Sequence, residues 1–275
     1  MSNNYQAIRI DINGSVAEVV LDNADNLNLM APSFFGEIRD AFNEIDGNGS
    51  INAVVLWAEG RMFTAGLNLK KAGGLLAPGN GESRSQADTN MGIYKTVKDY
   101  QDCFSAIQNC RKPVIAAIHN RCIGGGVDLI TACDFRVCTT DASFAIYETK
   151  IAIVADVGTL QRITPIVGKG MAREMALTGA FIDAERALRC GLVNTVYAGK
   201  DEMLEGVRSS AAEIAANSPL AVQGTKTVLN YADEHSTEEG LEQVAQWNSS
   251  FLQSNDLMEA VSAFAEKREP KFKGN

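Results

Sequence analysis

The sequence predicts an α/β fold followed by a helix-only C-terminal region, and three observations predict it. Short β-branched runs alternate with segments of helical period over roughly residues 1–200. Two of those runs, INAVVLWAE and PVIAAIH, are apolar at nearly every position, the pattern of strands covered on both faces. From about Asp201 onward only helical periodicity remains.

YQAIRIDI and VAEVVLD are strands joined at Asn13-Gly14, a hairpin signal. Residues 32–45 repeat apolar side chains (Phe34, Phe35, Ile38, Phe42, Ile45) at helical spacing. INAVVLWAE follows as a buried strand. Residues 72–92 are rich in Gly, Ser, Asn and Pro and read as a long mobile loop, of a kind that is often functional. A helix is expected from Gly92 to Gln108. After it come PVIAAIH (strand), a glycine run, VDLITAC (helix) and FRVCTT (strand). Four amphipathic segments end the chain, beginning MLEGV, LAVQG, EEGLE and LMEAV. The chain therefore divides into a core, 1–200, and a helical region, 201–275. The helical region is too thin to hold a core alone and is expected to pack on the α/β part or on another subunit.

Composition excludes several classes. A net charge of -9 and a pI near 4.9 argue against nucleic acid as a partner, though a local basic pocket for an anionic ligand stays open. Six cysteines without a C-x-x-C pair, and only two histidines, argue against a metal site. The cysteines read as reduced, small apolar residues of a cytosolic-type compartment. No apolar run is long enough to span a membrane, and MSNNYQAIRIDING carries no address signal.

Three features bear chemistry. Met62 to Leu69, MFTAGLNL, follows a strand with a small-Gly pair that lets backbone approach a ligand; taken alone it reads more readily as an ordinary turn. Gly124-Gly125-Gly126 stands between a strand and a helix, where free N–H groups favour negative charge, or where close packing requires glycine. Neither a P-loop nor a dinucleotide fingerprint fits it. Asp128, Glu148 and Asp156 are carboxylates in apolar surroundings, where desolvation raises a pKa toward the range of proton transfer. Each singly also reads as a cap or a salt-bridging acid, Asp156 as a cap near Gly158-Thr159. Asp134 reads as buried and structural, and His119 as a satisfied structural histidine. No G-x-S-x-G elbow supports a hydrolytic triad.

MFTAGLNL, KPVIAAIHNRCIGGGVDL and ACDFRVCTTDASFAIYE together resemble the enoyl-CoA hydratase/isomerase (crotonase) family, and the resemblance runs nearly the whole chain. It implies a spiral of β-β-α units with a C-terminal helical trimerisation region, assembled as a homotrimer or a dimer of trimers. It implies an oxyanion hole formed by the N–H groups of Leu67 and Gly125. Ala65, Gly66, Asn68, Leu69 and Gly124, which flank those donors, are the expected substrate contacts. Asn68 departs from the family, which usually carries Asp there; the donor at Leu67 is unaffected, but the loop's capping bonds are expected to differ.

Within the family, CIGGGVDLITACD, Tyr147-Glu148, IVADVGTLQRI and SPLAVQGTK are similar to the Δ3,5-Δ2,4-dienoyl-CoA isomerases, which carry acids at the positions of Asp128, Glu148 and Asp156. That likeness implies an acyl-CoA substrate, no cofactor beyond the coenzyme A of the substrate itself, and a proton shift in fatty-acid β-oxidation. Glu148 is then the base at carbon 2, Asp156 the acid at carbon 6, and Asp128 a polar partner whose place at a helix start favours its charged form. Without an organelle address, a bacterial, cytoplasmic form is expected. Two alternatives stand beside this: an enoyl-CoA hydratase, and a non-catalytic binder of CoA thioesters.

Overall fold

The computed structural model describes residues 5–72 and 85–275. Most of the expected 72–92 loop lies outside the described residues.

β1 (Ile8–Asn13) turns at Asn13-Gly14 into β2 (Val16–Leu21), with Gly14 at φ 61°, the left-handed value this tight turn requires. The two strands are antiparallel. Parallel pairing then extends the sheet from β2 to β3 (Ala53–Ala58), β4 (Val114–Ile118), β6 (Phe135–Thr139) and β9 (Thr195–Tyr197). A smaller sheet joins β5 (Arg121–Ile123), β7 (Ser143–Ala145) and β8 (Ile182–Asp183). Between β4 and β5 the chain breaks at Asn120, which takes φ 53°, so the apolar run continues into a second sheet.

The two apolar strands are buried on both faces, and the period of two sorts their residues into separate cores. Val54, Leu56 and Ala58 of β3 join Ala17, Val19 and Leu21 of β2 in the larger core. α1 (Pro32–Gly47) and α2 (Gln86–Asn109) supply Phe34, Ile38, Phe42, Phe104 and Ile107 to that core, and Phe35 stacks on Tyr100 at 3.8 Å. Ala53, Val55 and Trp57 face the other way, where α7 (Lys200–Ala216) covers them with Met203, Leu204, Val207 and Ala211. The first helix of the helix-only region is thus a layer of the α/β core. On that same face Glu18 of β2 is buried. It accepts from Trp57 Nε1 at 2.7 Å and from both arms of the Arg208 guanidinium at 2.8 Å.

Between the strands run α3 (Gly125–Thr131), α4 (Thr159–Val167), α5 (Lys169–Thr178) and α6 (Ala184–Arg189). The chain ends in α8 (Pro219–Ala232), α9 (Thr237–Phe251) and α10 (Asn255–Glu266). α8 docks through buried Lys226, whose ammonium donates to Asp134 Oδ2 at 2.7 Å and Lys112 O at 3.2 Å.

Two expectations are corrected. α2 begins at Gln86 rather than Gly92, because Ser85 caps it by accepting from the Asp88 N–H. Polar residues that resemble a loop are here the exposed first turns of a capped helix. Asp134 is not buried: it sits at the surface end of β6, taking the Val114 N–H and Lys226.

Candidate active site

The MFTAGLNL segment is threaded between two others. The Phe63 and Thr64 N–H groups donate to His119 O and Arg121 O, and the Ile123 N–H donates back to Thr64 O, which ties the segment to β5. On its other side the Met30 N–H donates to Gly66 O and the Asn68 N–H to Met30 O, both at 2.9 Å. This parallel bridge straddles Leu67 and leaves its N–H without an acceptor among the described residues. Gly125, the first residue of α3, likewise has an N–H with no acceptor among them.

The two donors are neighbours because Gly66 lets the loops interlock. Gly66 takes φ 86°, and a Cβ there would stand 2.7 Å from Ile123 O and 3.8 Å from Gly125 N. Any side chain would force the loops apart. Thr64 Oγ1 completes the turn, accepting from the Gly66 N–H at 3.1 Å while donating to Asn28 O at 2.6 Å. The Asn68 side chain accepts from the Lys71 N–H at 3.1 Å, so the loop is capped with Asn in place.

The three acids are close enough to act on one another electrostatically, yet among the described residues no three His, Cys, Asp or Glu side chains meet as metal ligands would. Asp128, in the first turn of α3, is buried; its Oδ1 accepts the Thr159 N–H at 2.6 Å. Its Oδ2 has no partner among the described residues. Burial pushes this carboxyl up to about 6, against the Thr159 bonds and with help from the charge of Asp156. The expectation that its helix-start position favours the charged form is therefore reversed, since desolvation in a sealed site outweighs the first-turn amides.

Glu148 opens a short 3-10 turn, Glu148–Ile151. Its Oε1 would lie 3.1 Å from a Cβ on Gly124, so the carboxyl stands directly beside the second glycine loop. Its Oε2 is buried without a partner among the described residues, and burial, then the Asp128 charge, push it up to about 7. Asp156 lies in an irregular strap before α4 and is the most exposed of the three; burial also raises its pKa. Asp156 does not cap α4. The cap residue is Gly158, and Asp128 takes the Thr159 N–H in its place.

Sequence reasoning missed several supporting residues. Buried Asn28, at φ 51°, accepts from the Asn23 N–H and donates to Glu59 O and Met62 O, holding the loop before MFTAGLNL. Its signal was local: Asn is the ordinary non-glycine residue for left-handed backbone. Arg162 and Gln101 have no such local signal, because Arg162 meets Gln108, 54 residues away, and Gln101 meets Asp156, 55 residues away. His119 is only half satisfied: Nε2 meets Gly60 O at 2.9 Å, and Nδ1 has no partner among the described residues.

Two N–H groups without acceptors among the described residues, held side by side between two glycine loops with the Glu148 carboxyl beside them, are an arrangement able to stabilise an oxyanion while a proton moves. The enoyl-CoA hydratase/isomerase family profile matches residues 11–275, and the chain belongs to that family. It is 48% identical over 274 residues to the mitochondrial Δ3,5-Δ2,4-dienoyl-CoA isomerase of Dictyostelium discoideum, covering 98% of this chain and 92% of that protein. It is 43% identical over 270 residues to the peroxisomal one of Arabidopsis thaliana, covering 97% of this chain and 96% of that protein. Among solved structures it is similar to an enoyl-CoA hydratase from Bacillus anthracis, with a TM-score of 0.88, 28% identity, and coverage of 98% of this chain and 100% of that one. The expected crotonase-like architecture with C-terminal helices is thus the one found. The expectation of a bacterial, cytoplasmic form is overturned by these relatives, which are named mitochondrial or peroxisomal. An address signal is short and separable from the fold, so its absence from these residues carried no weight on compartment.

Proposed function

We propose that this chain is a Δ3,5-Δ2,4-dienoyl-CoA isomerase acting in fatty-acid oxidation, with an acyl-CoA substrate and no separate cofactor. The observation that carries the reading is Asp156: a third carboxyl, eight residues after Glu148, on a scaffold that already offers two oxyanion donors. Relatives so named, 48% and 43% identical along nearly the whole chain, support it.

The chemistry runs as follows. The thioester oxygen sits between the N–H groups of Leu67 and Gly125. Glu148, with a pKa of about 7, is matched to taking the carbon-2 proton near neutral pH. The charge spreads over the dienolate onto the thioester oxygen, where each preorganised donor typically contributes about 3 kcal/mol. Asp156, whose pKa burial raises, delivers a proton to carbon 6. The charge of Asp128 raises the Glu148 pKa, and its Oδ1 fixes the start of α4 by accepting the Thr159 N–H. Ala65, Gly66, Asn68, Leu69 and Gly124 form the rim that the thioester meets.

The test is turnover of a 3,5-dienoyl-CoA, followed by the absorbance of the conjugated 2,4-product. Asp156→Asn should lose most of that activity while retaining fold and substrate binding. No turnover by the native chain, or native turnover by the variant, overturns the reading; rapid hydration of a 2-enoyl-CoA instead would identify a hydratase.

We also propose that residues 201–275 drive assembly into a homotrimer or a dimer of trimers around the 1–200 core. Support comes from exposed Leu252, Met258, Val261 and Phe264 on and beside α9 and α10, apolar surface that a monomer would leave in water. Sedimentation equilibrium checks it, and a monodisperse monomer at micromolar concentration would refute it.

A further inference from the structure

We infer that Arg162, with Gln101, is a positioning residue for the acid at the far end of the substrate: it fixes where the Asp156 carboxyl stands relative to Glu148. The inference rests on the isomerase reading above and names part of its machinery.

The strap 153–158 has no regular structure, so its backbone polar groups need partners from elsewhere. They find them in side chains from three helices. Gln101 Nε2, on α2, donates to Asp156 O at 2.7 Å. Arg162 Nη1, on α4, donates to Val157 O at 3.2 Å. Asp128 Oδ1, on α3, accepts from the Thr159 N–H at 2.6 Å. The strap is thus held at Asp156 and Val157, and the helix that follows it is held at Thr159.

Arg162 joins these clamps into one brace. Its Nε donates to Gln108 Oε1 at 2.8 Å and its Nη2 to Ser105 Oγ at 3.0 Å. Gln101, Ser105 and Gln108 follow one another at four and three residues along α2, so they share a face of that helix. One face of α2 therefore holds the strap at Asp156 and, through the guanidinium, at Val157. Gly158 makes room for this. It takes φ 123°, and any Cβ there would collide with Arg162 Nη1. None of the ion pairs within 4.0 Å among the described residues involves Arg162. Its bonds all go to neutral oxygens, three of them in fixed fork geometry, a task lysine cannot copy.

Glu148 is held differently, by its own 3-10 turn beside Gly124. Loosening the brace should therefore spare proton removal at carbon 2 and impair proton delivery at carbon 6. The experiment measures both steps in D2O with a 3,5-dienoyl-CoA: formation of the 2,4-product, and deuterium entering carbon 2 of recovered substrate. In Arg162→Met, product formation should fall about 100-fold, the usual cost of a misplacement on the order of 1 Å. Carbon-2 exchange should stay within about threefold, so exchange per turnover rises. Arg162→Lys should not restore product formation. Gln101→Met removes one bond from a partly exposed site and should show the same split at roughly tenfold; it keeps the test decisive if the arginine variants do not fold.

Exchange and turnover falling together in Gln101→Met or in a folded Arg162 variant, or neither changing, overturns the inference while leaving the isomerase reading intact. A native chain that makes no 2,4-product overturns that reading, and the inference with it.

Discussion

Asp128→Asn separates the titration of a buried carboxyl from the hydrogen bond it makes. Asparagine keeps a side-chain oxygen able to accept the Thr159 N–H, now met at 2.6 Å, and carries no charge. In the fold the Asp128 carboxyl is pushed from 3.8 up to about 6, burial being the largest cause. Its folded pKa thus lies above its unfolded one. Such a group contributes stability that is fully present below the unfolded value and is lost as pH climbs through the folded value. The window is about pH 4 to 6, and a gap of about two pH units corresponds to about 3 kcal/mol. The variant has nothing to lose in that window. Relative to the native chain it should gain about 3 kcal/mol between pH 4 and pH 8, or roughly 6–12 °C in melting temperature for a domain of this size. Removing the Asp128 charge also relieves Glu148, which acts in the same direction. The assay is thermal or urea unfolding of both proteins across that range at one fixed protomer concentration, because assembly couples to apparent stability. Parallel stability curves would refute the reasoning, as would a native chain that gains on the variant as pH rises.

Three further outcomes follow from the same geometry. The pH–rate profile of isomerisation should carry a limb near 7 from ionisation of Glu148, and Glu148→Gln should abolish that limb and lower kcat by about 10²–10⁴-fold. Gly66→Ala places a Cβ 2.7 Å from Ile123 O on backbone at φ 86°; kcat should fall about 10²–10³-fold as the Leu67 donor is displaced, with circular dichroism confirming the fold. Arg208→Ala leaves buried Glu18 with Trp57 as its main remaining donor and should cost about 2 kcal/mol in urea unfolding, less than a fully buried pair because Arg208 is half exposed.

What could be read from the sequence was what is written locally. The hairpin at Asn13-Gly14, the apolar face of α1 and the doubly covered β3 each rest on a repeat within a few residues, and each is found in the structure. The glycine loops and the three acids were visible as residue types, and the structure brings Gly66 to Gly125 and Glu148 to Gly124. What escaped was long-range satisfaction of polar groups. Thr159 is capped by a carboxyl 31 residues away, and Arg162 is met by a helix more than 50 residues earlier. The ADVGTLQR string was singled out for Asp156, yet its Gly158 makes room for its Arg162, which donates to Val157 O next to that aspartate. No periodicity encodes such a relation. The early start of α2 escaped for a different reason: its first turns are exposed and polar, and only the Ser85 cap distinguishes them from a loop.

The Glu18 site has a consequence for how the sheet assembles. β2, β3 and β4 are apolar on both faces, so hydrophobicity alone hardly distinguishes correct pairing from pairing displaced by one residue. Glu18 is the only charged residue in those three strands. In the native alignment it pairs with Val55 and meets Trp57 and Arg208. Displaced by one position, it would enter the core beneath α1 and α2, where Phe42 and Ile107 offer a carboxylate no donor. One acid on the α7 side thus keys the sliding alignment of strands that carry the oxyanion loops at their ends.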